Sequence, residues 1–347
     1  MMMSFLHELP PVRRFRLPFT RRRHFFALGR LVYEALGSLG ARETEEPLML
    51  ARLEHIPGPE GLCVIERLHR SVDSRRCQSL AWEATHALRL SHPGLLQMRQ
   101  FAILQPRPHL EQPYAVFEYV GGRSLASVLR LSAVLERKPL SVAAACDIAA
   151  QVADALDYLH TRSDSRGWSW ALSHGDISPS LIWLTPEGRV KLVGFGTRSS
   201  RLVGRSERRR EWAGLCREAL YFPCDPRFQE LPPCRVDLYS LAVVLLEMLL
   251  GQPLWALDFS SKWRLGLPAE EVERLLRGLR LPSGLGDVIR DAMRCDSSGA
   301  VSTAAGLRRA LRLYTREGRG VATELGWLER EVTWRVSPWE ANPLSSA

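Results

Sequence analysis

The sequence predicts an α+β fold built as two lobes, a small strand-rich lobe followed by a larger helical one. Three observations carry that reading. The chain has 347 residues, enough for two compact domains or for two lobes of one large unit. From Leu31 to Tyr119 the apolar residues fall into runs of strand length, broken once by a helical pattern. After Gly121-Gly122 helical spacing dominates to about residue 316. On these grounds residues 1–27 form a basic N-terminal arm, 28–120 the small lobe, 121–316 the large lobe and 317–347 a C-terminal tail bearing Trp327, Trp334 and Trp339.

A composition of 46% hydrophobic, 24% charged and 8% aromatic residues supplies a sizeable core and excludes wholesale disorder. The formal charge of +9 is compatible with an acidic partner and identifies none. Lys138, Lys191 and Lys262 are the only lysines, so 44 of the 47 cations are arginines. No lysine precedes residue 138, and a guanidinium does not replace a compact ammonium everywhere. Seven cysteines, at 63, 77, 146, 216, 224, 234 and 295, form no C-x-x-C pair and read as reduced thiols. Residues 1–30 carry seven arginines without the continuous apolar stretch of a secretory signal. The longest apolar run, Leu241 to Leu250, contains Glu247 and is too short to cross a bilayer. A soluble, cytoplasmic protein is expected.

The elements follow in order. Up to about Phe26 arginines alternate with prolines and phenylalanines in no strand or helix period, which reads as a mobile arm. Strands are expected at Leu48–Leu53, Leu62–Leu68, Phe101–Leu104 and Tyr114–Glu118. A helix over 77–90 places Leu80, Trp82, Ala84, Ala87, Leu88 and Leu90 at roughly helical spacing and ends at Ser91-His92-Pro93. Ser141 is the N-cap of a helix through His160, whose apolar face runs from Val142 and Cys146 to Leu156 and Leu159. Two short strands, 181–184 and 190–193, flank the turn Pro186-Glu187-Gly188. A helix from Asp237 to Leu250 is apolar on nearly all sides, as a helix at the centre of a domain is, and Gly251 stops it. Further helices are expected at 269–279, 285–295 and 303–316. No internal repeat is visible.

The run from Leu172 through His174-Gly175-Asp176-Ile177-Ser178-Pro179 to Leu181 is followed by Lys191-Leu-Val-Gly194-Phe195-Gly196. Together they resemble the catalytic and metal-binding loops of eukaryotic-type (Hanks-type) serine/threonine protein kinases, written in that family H-R-D-L-K-P-E-N and D-F-G. Phe117-Glu118-Tyr119-Val120-Gly121-Gly122 resembles the hinge between kinase lobes. Trp82-Glu83-Ala84 with His92-Pro93 resembles the helix of the small lobe and its exit. The segment from Asp237 to Gly251 resembles the central helix of the large lobe. The resemblance runs from about residue 30 to 315. Aminoglycoside phosphotransferases also carry an H-G-D loop, but the hinge and central helix favour protein kinases. The resemblance implies a protein kinase-like fold, with a small β-rich lobe and a larger helical one, and an ATP cleft between them.

Phosphoryl transfer in that family needs metal ions and a strand-borne lysine to neutralise the triphosphate, and an aspartate to orient the attacking hydroxyl. Most of these parts differ here. In Cys63-Val64-Ile65-Glu66-Arg67, Glu66 takes the position of the lysine and would face Glu83, the helix acid that should pair with it. Arg67 belongs to the other sheet face unless the register slips by one residue. Gly194 stands for the metal-binding aspartate and Leu181 for the metal-binding asparagine, and neither side chain coordinates magnesium. Ser178 stands for the loop lysine. In the phosphate-covering run Leu36-Gly37-Ser38-Leu39-Gly40, Leu39 replaces a glycine, and Glu43, Glu45 and Glu46 follow. Asp225 and Ala300 stand where a glutamate and an arginine normally pair.

What survives is structural: His174 and Phe195 of the hydrophobic spine, and Asp237, which holds the catalytic loop. Asp176 survives at the position of the catalytic aspartate and reads as a loop-stabilising acceptor more readily than as a base. Arg198, Arg201, Arg205 and Arg208 to Arg210, with Ser199, Ser200 and Ser206 among them, read either as an anion-capturing segment or as a solvated loop. The expectation is a catalytically inactive pseudokinase, a scaffold or allosteric regulator acting through a protein partner, with neither cofactor nor metal. The alternatives are an atypical active kinase using ATP and magnesium through Asp176, and anion or nucleic-acid binding through the arginine clusters.

Overall fold

The structure is a computed structural model. It describes residues 24–39, 48–67, 74–107, 110–134, 140–194 apart from 164, 168 and 171, then 220–223, 227, 230–254 apart from 253, 266–294, 299, 301–315 and 320–326. The smaller lobe is an antiparallel sheet of six strands: β1 (His24–Leu28), β2 (Leu31–Leu39), β3 (Leu48–Leu53), β4 (Leu62–Arg67), β5 (Met98–Arg107) and β6 (Leu110–Glu118), in the order β1-β2-β3-β4-β6-β5. The first strand begins at His24, inside the segment read as an arm. Its apolar residues are too few to show a period, and pairing with β2 from Leu28↔Leu31 to His24↔Ala35 makes it a strand.

Side-chain alternation gives this sheet two apolar faces. On one, Leu28, Tyr33, Ala51, Cys63, Ile65, Leu104 and Val116 pack together. On the other, Met98, Ala115 and Phe117 meet Leu80, Ala84 and Ala87 of α1 (Ser74–Ala87).

The larger lobe starts at β7 (Arg123–Ser124) and α2 (Leu125–Val134). α3 (Val142–His160) begins as its sequence requires: Ser141 Oγ accepts the Ala144 amide at 3.2 Å. β8 (Ile182–Leu184) and β9 (Val190–Leu192) complete a three-stranded sheet with β7. α4 (Pro233–Leu250) is buried from Arg235 to Leu249 and ends at Gly251 with φ 71°. α5 (Ala269–Gly278), α6 (Leu285–Met293), α7 (Ala304–Arg312) and the short α8 (Val321–Glu324) follow, with α6 packed on α4 and α7 and α8 packed on α3. α3, α4, α6 and α7 enclose one core, to which Ile182, Leu184, Val190 and Leu192 belong. Arg235, 3% exposed, donates to the carbonyls of Val301 at 3.0 Å and Arg294 at 2.6 Å and so ties α4 to the segment between α6 and α7. Among the described residues no helix is long and apolar enough to cross a membrane, and Cys63, Cys77, Cys146 and Cys234 are free thiols.

Candidate functional site

Residues 119–122 lead from β6 of the smaller lobe to β7 of the larger one, and the loop 172–181 runs into β8 and β9. β9 is stitched to the chain leaving α1, since Leu192 N donates to Gly94 O at 2.8 Å and Leu96 N to Leu192 O at 3.0 Å.

The lower loop is organised by one carboxylate. Asp237 has no exposure and projects from the first turns of α4. It accepts the His174 amide at 2.8 Å, the Gly175 amide at 2.5 Å and His160 Nε2–H at 2.9 Å. Burial pushes its pKa up, but the His160 hydrogen bond, the nearby imidazoles and the Gly175 amide outweigh burial and hold the carboxyl below its usual range. His174 in turn takes the Asp176 amide on Nδ1 at 3.3 Å, which leaves Nε2–H to donate to Val193 O at 2.9 Å. The ring therefore joins the loop to the strand that ends at Gly194. Asp176 lies in this framework at 7% exposure.

Leu181 and Gly194 come together, as the resemblance to the family's metal-binding positions implies, and the contact is apolar. Val193 N donates to Leu181 O at 2.9 Å. A Cβ placed on Gly194 would stand 3.3 and 3.4 Å from the two methyls of Leu181, and Gly194 has φ +94°. The Leu181 side chain thus occupies the space into which a residue at 194 would project, and the backbone there is one that side-chain-bearing residues rarely adopt. A magnesium ion needs oxygen ligands, and this pair offers hydrocarbon against hydrogen.

In the smaller lobe the register decides which side chain of β4 lies on the sheet face that receives α1. Glu66 pairs with Ala115 and Arg67 with Tyr114. Paired residues share a face, so Glu66 lies with Ala115 and Phe117 on the α1 side, while Arg67 lies with Tyr114 on the side of Cys63 and Ile65. Glu83, 5% exposed, sits on α1 beside Ala84, which packs on that same sheet face. The side of the sheet that receives α1 therefore carries Glu66 and receives Glu83.

Gly37 lies within β2, paired with Leu50 just after an irregularity at Ala35. Gly40 and Phe195 lie outside the described residues, as do Asp225, Ala300, the arginines and serines of 198–210, most of the N-terminal arm and the tryptophans of the tail.

Three features escaped sequence reasoning. Lys191 Nζ reaches Glu118 Oε1 at 2.5 Å and Leu95 O at 3.3 Å, while Gln97 N donates to the same carboxylate oxygen at 3.0 Å. One of only three lysines thus ties β9 to the end of β6, and its rarity was the available signal. His160 gave no sign of reaching Asp237, 77 residues away. Glu247, placed in the apolar run only as an interruption, accepts the Tyr221 hydroxyl inside the core.

The family description "Protein kinase domain" matches residues 63–267, more than half of the chain. The chain is 26% identical over 248 residues to a cAMP-dependent protein kinase, catalytic subunit-like, of Caenorhabditis elegans, covering 72% of this chain and 55% of that protein. It is 27% identical over 171 residues to the serine/threonine-protein kinase PknB of Mycolicibacterium smegmatis, covering 49% and 25% respectively. The chain therefore spans about half, or less, of the length of these relatives. The Mycobacterium tuberculosis PknI kinase domain superposes with a TM-score of 0.57 at 21% identity, over 81% of this chain and 96% of that domain.

Proposed function

The chain belongs to the protein kinase domain family, and we propose that it is a member that does not transfer phosphate and works instead as a scaffold or allosteric regulator bound to another protein. The observation that carries this reading is Leu181 packed against Gly194. Where the family's chemistry calls for two oxygen ligands on magnesium, this chain sets an isobutyl group against a glycine whose backbone disfavours any larger residue. Glu66 on the α1 face supports it from the other side of the cleft, since a carboxylate there adds to the repulsion that a triphosphate meets. The residues that hold the loop framework, Asp237, His174 and His160, are kept in a tight hydrogen-bonded set, so the fold is maintained where the charge-handling atoms are not.

The test is a thermal-shift titration with ATP, with and without magnesium or manganese, beside a radiolabelled phosphotransfer assay. No metal-dependent rise in melting temperature and no transfer are expected. Transfer that disappears in Asp176→Asn refutes the proposal.

One observation favours a second reading, an active kinase of unusual construction: Asp176 is retained in a loop that Asp237 and His174 position firmly. The same assay decides between the two.

A further inference from the structure

Trp183 is 4% exposed, yet it belongs to none of the three apolar cores. Its neighbours in β8, Ile182 and Leu184, are fully buried in the core of the larger lobe. Alternation turns Trp183 to the opposite face, the one it shares with its register partners Ser124 and Lys191. Lys191 shows where that face looks, because its ammonium meets Glu118 and the Leu95 carbonyl on the side of the smaller lobe. The indole Nε1 lies 3.0 Å from the place a Cβ on Gly122 would take, so the ring reaches the connecting segment 119–122. In β4 of the smaller lobe Val64 is 1% exposed and also belongs to no core, although its partner Phe117 does. Two apolar side chains, one in each lobe, are therefore shielded from water outside the main cores.

We propose that Trp183 is a built-in plug. Its indole fills the slot between residues 119–122, β8 and Val64, and the slot is thereby closed to a planar heteroaromatic ligand such as a purine. A flat ligand entering there competes for the volume an indole already holds, and the indole gains nothing by leaving for water. The inference deepens the proposed loss of phosphoryl transfer and rests on that reading of the cleft, but it concerns the base rather than phosphate or metal. Removing the ring leaves an apolar void of the kind that takes up aromatic molecules, on the order of 150 Å3.

The probe is adenosine, which has no phosphate and needs no metal. Calorimetric titration compares the full chain with Trp183→Ala and Trp183→Leu, the latter retaining hydrocarbon in case the larger truncation fails to fold. Either folded variant is expected to bind adenosine at least about tenfold more tightly than the unaltered chain. Equal affinity in all three, or a folded variant that gains none, overturns the proposal. A second measurement uses the unaltered chain alone. Hydroxyl-radical labelling should oxidise Trp82, which is 50% exposed, and spare Trp183; comparable oxidation of both overturns the plug. Adenosine binding by the unaltered chain without phosphotransfer sinks the plug and leaves the proposed function standing. Phosphotransfer without adenosine binding does the reverse.

Discussion

Glu247→Gln is expected to make the protein more stable at pH 8, with a much smaller gain near pH 5. Glu247 is 2% exposed in the middle of α4, where burial pushes its pKa from 4.5 up to about 7. The hydroxyl of Tyr221 and the amide of Leu254 donate to it and only partly offset that cost. Between about pH 4.5 and 7 the folded chain keeps a proton that the unfolded chain has released, so stability falls as pH rises through the window. At about 1.36 kcal/mol per unit, the gap of roughly two and a half units amounts to about 3 kcal/mol by pH 8. Glutamine has nearly the same shape, accepts the Tyr221 hydroxyl on its amide oxygen and carries no charge to desolvate. Urea unfolding at pH 5, 6, 7 and 8 reads the difference between the two proteins directly. A difference that stays constant across that range, or that grows toward acid, would refute the reasoning.

Gly194→Asp is expected to cost about 1–3 kcal/mol, because φ is +94° and the new Cβ crowds Leu181. Leu181→Asn should recover the crowding part, so denaturation of the single and double variants should give a favourable coupling. Lys191→Met should cost about 1 kcal/mol, since the pair with Glu118 is only 18% and 21% exposed. Hydrogen exchange at the Gln97 amide, which shares that carboxylate, should quicken in the same variant. Ser141→Ala should lower stability by about 1 kcal/mol through loss of the cap on α3, measured by the same denaturation.

Much of the architecture is written locally. α3 announces both its cap and its apolar stripe, and the short strands at 182–184 and 190–192 stand out as apolar runs around a Pro-Glu-Gly turn. The central helix shows itself by being apolar on every side, and the structure buries 15 of its residues. β1 and α2 were not legible, because β1 becomes a strand only by pairing and α2 is a short segment tied to β7 and β8. The roles of His174, Asp176, Leu181, Gly194 and Asp237 were readable only through the resemblance of their motifs to the kinase loops and central helix.

The sequence alone determined which side chains stand at the positions that the family resemblance assigns to the site: an acid at 66, hydrocarbon at 181, a glycine at 194, and no lysine before 138. Tertiary structure decided which of them meet. The pairing of β4 with β6 put Glu66 and not Arg67 on the α1 face, because register is a relation between strands about 50 residues apart. Burial pushes the pKa of both Glu247 and Asp237 up, but at Asp237 the His160 and Gly175 donors and the nearby imidazoles outweigh it, so the two carboxyls shift in opposite directions. Trp183 looked like one more apolar residue in a strand; only the tertiary fold buried it outside the main cores with its indole against Gly122.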